Sequence, residues 1–334
     1  MSNAPVRIGV IGAGSLGYHH IRILRDLPGA RLVGFYERSP DRAAAVSREL
    51  GVPAFSSLAD LLDATEAVTV VVATTVHHAV AKEALARGKH VLIEKPITVT
   101  LEEADDLLAR AREAGVVVQT GHVERFNRAI RAALPYVSSP RFVESDRLAP
   151  FTPRGADVAV VLDLMIHDID LVRTLVGGHV TSLAAVGVPV LTPFVDIANA
   201  RLTFDSGAVA NITASRVSRD RTRKLRMFQS SGYLSLDLAA GTGEFYRLRA
   251  ELDLAALSKA PRAIDDFVER IPLEAPEGEP LRLEFESFLA AVRGRAPVVV
   301  SGEDGREALA VALGIVREIE RTLPVLAEQA AGRA

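Results

Sequence analysis

Glu94, Lys95 and Pro96 follow the apolar run His90-Val91-Leu92-Ile93. That run reads as a buried parallel strand, and a charged pair at its carboxyl end lies where open α/β sheets bind ligands. Pro96 forces the chain to turn directly after the lysine. A lysine held at the mouth of a crevice can hydrogen-bond or protonate a substrate hydroxyl or carbonyl. A surface lysine after an edge strand is the competing reading, and other residues decide between the two.

Gly12-Ala13-Gly14-Ser15-Leu16-Gly17 has the GxGxxG form. It ends one apolar run and opens a helical stretch, the context that a dinucleotide fingerprint requires. Gly12 permits the tight turn, Gly14 lets the backbone approach a pyrophosphate, and Gly17 lets helix and strand pack closely. The helix N-terminus offers amide donors and a positive dipole end to the phosphates. Glu37 lies 20 residues past Gly17. Its carboxylate suits the hydroxyls of an adenosine ribose and repels a 2′-phosphate, which favours NAD over NADP. The adjacent Arg38 could stack on adenine or take a phosphate.

Asp163, His167 and Asp170 fall at i, i+4 and i+7, one stripe of a helix. Leu164, Met165, Ile166, Ile169, Leu171 and Val172 occupy the other faces. A helix apolar nearly all round is buried, so its polar stripe must face partners or a cavity. A carboxylate one turn from a histidine can orient the ring and raise its basicity. A satisfied core His–Asp pair is the alternative. No third ligand stands at a useful spacing, so no metal is expected.

The elements that must position these residues follow from periodicity. Residues 7–11, 31–36, 68–73, 90–93 and 116–120 read as strands, and 16–27, 41–50, 77–87 and 101–113 as amphipathic helices. Strands alternating with helices predict a doubly wound parallel sheet. After Gly121 the pattern changes. Helices are expected at 124–134 and 162–176, and a strand at 141–148. Period-two alternation runs from Thr181 to Leu238, with a hairpin signal at Asp205-Ser206-Gly207. Residues 272–280 read as a loop, and helices close the chain at 283–293 and 305–323. The expected fold class is therefore α/β, with a Rossmann sheet over 1–122 and an α+β domain with a large, open, mainly antiparallel sheet over 123–334.

The 334 residues suffice for about two domains. A hydrophobic content of 49% with 24% charged residues fits an ordinary soluble protein. The formal net charge of −3 carries no footprint for nucleic acid. The absence of cysteine rules out thiolate chemistry and disulfides. No run approaches a membrane helix and no signal-type core opens the chain, so a cytoplasmic protein without a membrane partner is expected.

These residues resemble the Gfo/Idh/MocA oxidoreductases, the glucose-fructose oxidoreductase and inositol dehydrogenase family. The resemblance covers nearly the whole chain. It rests on GAGSLG at 12–17, GKHVLIEKP at 88–96, Asp163 with His167, and PVVVSGEDGREALAVALGI at 297–315. It implies a C-terminal sheet that forms a homodimer or homotetramer interface, and a last helix, about 303–323, that packs back on the Rossmann domain. GHVERFNRA at 121–129, RLAPFTPRGADV at 147–158, LDLMIHDIDL at 162–171 and VDIANARLTF at 195–204 look closest to the nucleotide-sugar 3-dehydrogenases. These include the UDP-N-acetylglucosamine enzymes of lipid A variant pathways. Where many relatives carry a proline, this chain reads Ala73-Thr74-Thr75-Val76-His77.

By this resemblance the chain oxidises a sugar hydroxyl to a ketone with NAD. His167 is the base, held by Asp163, and Lys95 hydrogen-bonds the reacting oxygen. Ala73, Thr74, Thr75, His77, Glu94 and Lys95 complete the cofactor site, with Glu94 near the nicotinamide ribose. His122 and Asn127 flank the substrate crevice, and Arg125, Arg147 and Arg154 could clamp a diphosphate. The basic run from Arg219 to Arg226 reads as a solvated loop and strand start, with an oligomer contact or an anionic substrate as the alternatives. Competing readings are a dehydrogenase of a free polyol or monosaccharide, a non-enzymatic NAD-binding regulator, and an NADPH-dependent reductase.

Overall fold

The computed structural model describes residues 4–153, 155–249 and 267–331, with side chains to 323. In chain order the elements are β1 (Val6–Ile11), α1 (Ser15–Arg25), β2 (Ala30–Tyr36), α2 (Pro40–Leu50), α3 (Leu58–Ala64), β3 (Ala67–Val70), α4 (His77–Ala86), β4 (His90–Glu94), α5 (Leu101–Ala114) and β5 (Val118–Gly121). Then come α6 (Arg128–Ala133), β6 (Phe142–Leu148), α7 (Ile166–Val176), β7 (Val180–Val188), β8 (Ile197–Phe204), β9 (Val209–Ser215), β10 (Thr222–Gln229), β11 (Gly232–Asp237) and β12 (Thr242–Leu248). β13 (Val268–Pro272), α8 (Pro280–Val292) and α9 (Gly302–Ala331) close the described chain. It divides into two compact units, Met1–Phe126 with Gly278–Ala310, and Asn127–Glu277 with Val311–Ala334.

In the first unit five parallel strands run in the order β2-β1-β3-β4-β5. β3 and β5 are buried along their whole lengths and β4 from Val91 onward, as expected of central parallel strands covered on both faces. The order reverses between β1 and β3, so a ligand crevice opens at the carboxyl ends of these two strands. The helices are punctuated by their own residues. Ser39 caps α2 with Pro40 in its first turn, and Gly51 ends it in the left-handed region. Thr100 and Glu103 form a reciprocal capping box on α5. Phe285, Phe288 and Leu289 of α8 join the core built by β1, α1 and β2.

The second unit is an eight-stranded sheet ordered β13-β12-β11-β10-β6-β9-β8-β7. All neighbours are antiparallel except β6 and β9. Asp205-Ser206-Gly207 does join a hairpin, β8 to β9. On one face alternate residues such as Leu202, Ile212, Leu225, Met227 and Leu234 are fully buried, and α7 packs against β6 and β9. On the opposite face Phe142, Phe228, Tyr233 and Tyr246 stack across four strands, with ring centroids 5.6, 4.7 and 5.5 Å apart.

Several elements depart from expectation. The helix expected over 124–134 is split into a 3₁₀ turn, Val123–Phe126, and α6. Asn127 causes the break, because its side chain caps α6 through the Ala129 N–H at 3.0 Å. The helix expected from Leu162 begins as a π-helical turn, Val161–Met165, before α7. The third strand ends at Val70 instead of Ala73, since Thr74–Val76 already forms a 3₁₀ turn into α4. α3 was not foreseen; seven residues are too few to show a helical period.

Candidate active site

The glycine loop builds a cradle. A side-chain carbon on Gly17 would collide with the Gly12 carbonyl, and one on Gly12 with the Val71 carbonyl, whereas Gly14 faces open space. Gly12 and Gly17 therefore serve the tight turn and the packing, and Gly14 the approach of a ligand. No side chain caps α1, so the amides at Ser15, Leu16 and Gly17 remain available to an anion. The side chain of Leu16 packs on the core.

Glu37 stands at the end of β2 with its carboxylate on the loop. It accepts the Ala13 N–H at 2.8 Å and the Ser39 N–H at 3.0 Å. Arg42, which the sequence did not single out, donates to the Ala13 carbonyl at 2.8 Å and braces the loop from α2. A cleft of about 600 Å³ is lined by Gly12, Gly14, Glu37, Arg38, Ala73, Thr75 and Val76, among others. Thr74 is half-buried beside them.

His77 is a correction. It is buried, and its ring does not line the cleft. Nδ1 lies 2.9 Å from the Pro96 carbonyl and Nε2 3.1 Å from the Val72 carbonyl. The ring thus ties the chain leaving β3 to the turn after β4. Burial holds its pKa below the ordinary histidine value, against the opposing pull of the two carbonyls.

Glu94 is buried and Lys95 half-buried. The Glu94 carboxylate lies 3.2 Å from Nε2 of His20 and accepts the Lys95 N–H at 3.2 Å. Burial pushes this carboxyl up, but the adjacent His20 ring and Lys95 outweigh it and leave it below the ordinary glutamate range.

The residues expected to contact substrate divide. Arg147 is turned into the core of the second unit. Its guanidinium forks onto Asp168 at 2.6 and 3.2 Å, and Ser145 donates to the same carboxylate at 2.9 Å. Arg125 donates to the Val299 carbonyl at 3.0 Å and pairs with Asp304 at 3.4 Å. The expected diphosphate clamp is therefore corrected at both positions, because carboxylates of the protein already take the guanidinium forks. Asn127 caps α6 and donates to the Leu238 carbonyl at 2.9 Å, a structural engagement at both ends of its amide. His122 is buried, 1% exposed. Arg154 lies outside the described residues.

Asp163 occupies the π-helical turn, and His167 and Asp170 lie on α7. The regular α-helical stripe is thus broken at Asp163, which a wider turn carries; such turns recur at functional sites. Asp163 and His167 are half-buried and Asp170 fully buried. Gly155, with a φ of 76°, lies so close to Asp163 that a side chain there would meet the carboxylate. The Gly155 carbonyl is held by Arg216, which is itself paired with Asp196 at 2.7 Å. Asp196 also accepts the N–H groups of Val190, Leu191 and Thr192 at 2.6 to 2.9 Å. VDIANARLTF at 195–204 contains Asp196, but its spacing carries no signal for the pairing with Arg216. The 219–226 run lies along β10 and its approach, where Arg226 pairs with Glu144 at 2.7 Å and Lys224 is in register with Asp146.

A parallel sheet with an open glycine cradle, a strand-end acid and a Glu-Lys pair define a dinucleotide-binding oxidoreductase. Residues 6–122 match the family model described as oxidoreductase family, NAD-binding Rossmann fold, and residues 128–235 match the GFO/IDH/MocA C-terminal domain. The chain belongs to the Gfo/Idh/MocA family. It is 38% identical over 319 residues to a UDP-N-acetylglucosamine 3-dehydrogenase of Acidithiobacillus ferrooxidans, covering 95% of this chain and 98% of the relative. The solved structure of GnnA, the enzyme of that name from the same organism, superposes with a TM-score of 0.87 at 37% identity, covering 96% and 99%. A myo-inositol 2-dehydrogenase of Thermotoga maritima is 27% identical over 346 residues, covering 98% and 100%. The open space at Gly14 and the acid at Glu37 fit NAD, which accepts the hydrogen that a dehydrogenase removes from carbon.

Proposed function

We propose that the chain oxidises the C3 hydroxyl of a UDP-linked amino sugar, UDP-N-acetylglucosamine, to a ketone. The near end-to-end likeness to a UDP-N-acetylglucosamine 3-dehydrogenase carries this reading. Gly12, Gly14 and the α1 amides hold the pyrophosphate, and Glu37 accepts the adenosine ribose hydroxyls. An anionic carboxylate at that place repels the 2′-phosphate of NADP. His167 takes the hydroxyl proton of the sugar, and Asp163 sets its orientation. Lys95 donates to the reacting oxygen as its charge changes. Glu94 accepts a hydroxyl of the nicotinamide ribose.

A free polyol is the second reading, supported by full-length likeness to an inositol dehydrogenase. Incubation with NAD and UDP-N-acetylglucosamine, N-acetylglucosamine or myo-inositol separates the two by NADH absorbance. A coupled aminotransferase should be present to draw off the ketone. We assign the aromatic face of the eight-stranded sheet to a second copy of the chain. Support comes from its exposed apolar residues, among them Phe228, Leu248, Val186 and Val188, since a patch of this kind marks an interaction surface.

A further inference from the structure

His20 is a fully buried histidine that the proposed chemistry leaves without a role. It lies on α1, one turn past the glycine loop. Nδ1 is 3.0 Å from the Thr69 hydroxyl on β3, and Nε2 is 3.2 Å from the Glu94 carboxylate at the end of β4. Phe285 of α8 meets the ring edge-on at 5.0 Å and 86°. An ionised carboxylate only accepts, so Nε2 carries the hydrogen; the Thr69 hydroxyl can then donate to Nδ1 and fix that tautomer. On the other side β5 closes in, since a side-chain carbon on Gly121 would lie 2.9 to 3.0 Å from the Glu94 carboxylate. The Lys95 N–H holds the second carboxylate oxygen.

We infer that His20 is a positioning residue for the cofactor site, orienting the Glu94 carboxylate toward the nicotinamide ribose through a Thr69–His20–Glu94 chain. This rests on the NAD-dependent reading above. The charged or titratable groups acting on Glu94 are His20 from α1, Lys95 in its own turn and His77 from α4; on α8 the buried Glu284 precedes Phe285. Burial raises the Glu94 pKa, and His20 is the first group that opposes it. Removing the imidazole should therefore raise the Glu94 pKa and make cofactor binding fail as pH falls.

NADH fluorescence titrations of the full chain test this. His20→Leu should bind about tenfold more weakly than wild type near pH 6, the gap closing toward about pH 8. His20→Gln, which keeps an N–H donor, should recover most of the loss, and Thr69→Val should show a smaller effect of the same sign. A loss that is equal at both pH values and not recovered by His20→Gln makes His20 a packing residue and overturns the inference, as does wild-type affinity throughout. If His20→Leu does not fold, Thr69→Val decides by the same pH criterion. A wild-type chain that binds no NADH overturns the underlying reading instead, and this inference with it.

Discussion

At the scale of residues, side-chain type and spacing revealed the glycine loop, Glu37 and the Glu94-Lys95 pair, because each answers to a backbone requirement or to a strand end. They did not reveal where a side chain turns. Arg147 shares the inward face of β6 with Val143 and Ser145, and an arginine on a buried face must find a carboxylate, here Asp168. That alternation was the signal that could have placed it. His77 and His20 carry no such signal: His77 is held by two backbone carbonyls, and the Thr69 hydroxyl and Glu94 carboxylate beside His20 are distant in sequence. His167→Ala should lower kcat by about a hundredfold or more while leaving the NAD dissociation constant within about twofold, and Lys95→Ala should lower kcat by a similar factor and also weaken NAD; steady-state rates and cofactor titration check this. Glu37→Ala should weaken NAD by about tenfold and narrow its advantage over NADP, because the ribose hydroxyls lose a charged acceptor. Paired titrations with both cofactors measure that.

At the scale of elements, long periodic stretches were legible and short or interrupted ones were not. α5 announced itself through the amphipathic period of 101–113. The break at Asn127 was hidden because the stretch around it is continuous in helix-forming residues, and only the folded amide shows that it caps. The Asp196–Arg216 network pins the 189–195 connection and the Gly155 carbonyl beside Asp163. Burial pushes Asp196 up, but three backbone N–H groups and Arg216 hold it well below the usual carboxylate range. Its stabilisation is therefore fully present above about pH 4 and is lost as pH falls through the native-state value. Asp196→Ala, which leaves Arg216 buried without its carboxylate, should cost about 3–5 kcal/mol at neutral pH. Chemical denaturation should also show a flatter acid limb in Asp196→Asn than in wild type.

At the scale of the whole molecule, alternating strands and helices followed by period-two runs were enough to foresee a Rossmann sheet and a large second sheet. The parallel pairing of β6 with β9 was not visible, because α7, β7 and β8 intervene and periodicity says nothing of neighbours distant in sequence. No helix among the described residues is long and apolar enough to cross a membrane. The stacked aromatic face predicts self-association: light scattering should give a multiple of 35.7 kDa, and Phe228→Asp with Leu248→Asp should return the chain to that mass. The central claim concerns the substrate. The most direct measurement is NADH formation from NAD with UDP-N-acetylglucosamine, set beside N-acetylglucosamine and myo-inositol under the same coupled conditions. The account predicts turnover with the UDP-sugar, a kcat/KM at least about a hundredfold lower for the two free compounds, and loss of turnover in His167→Ala. Turnover of myo-inositol with none of the UDP-sugar would contradict it.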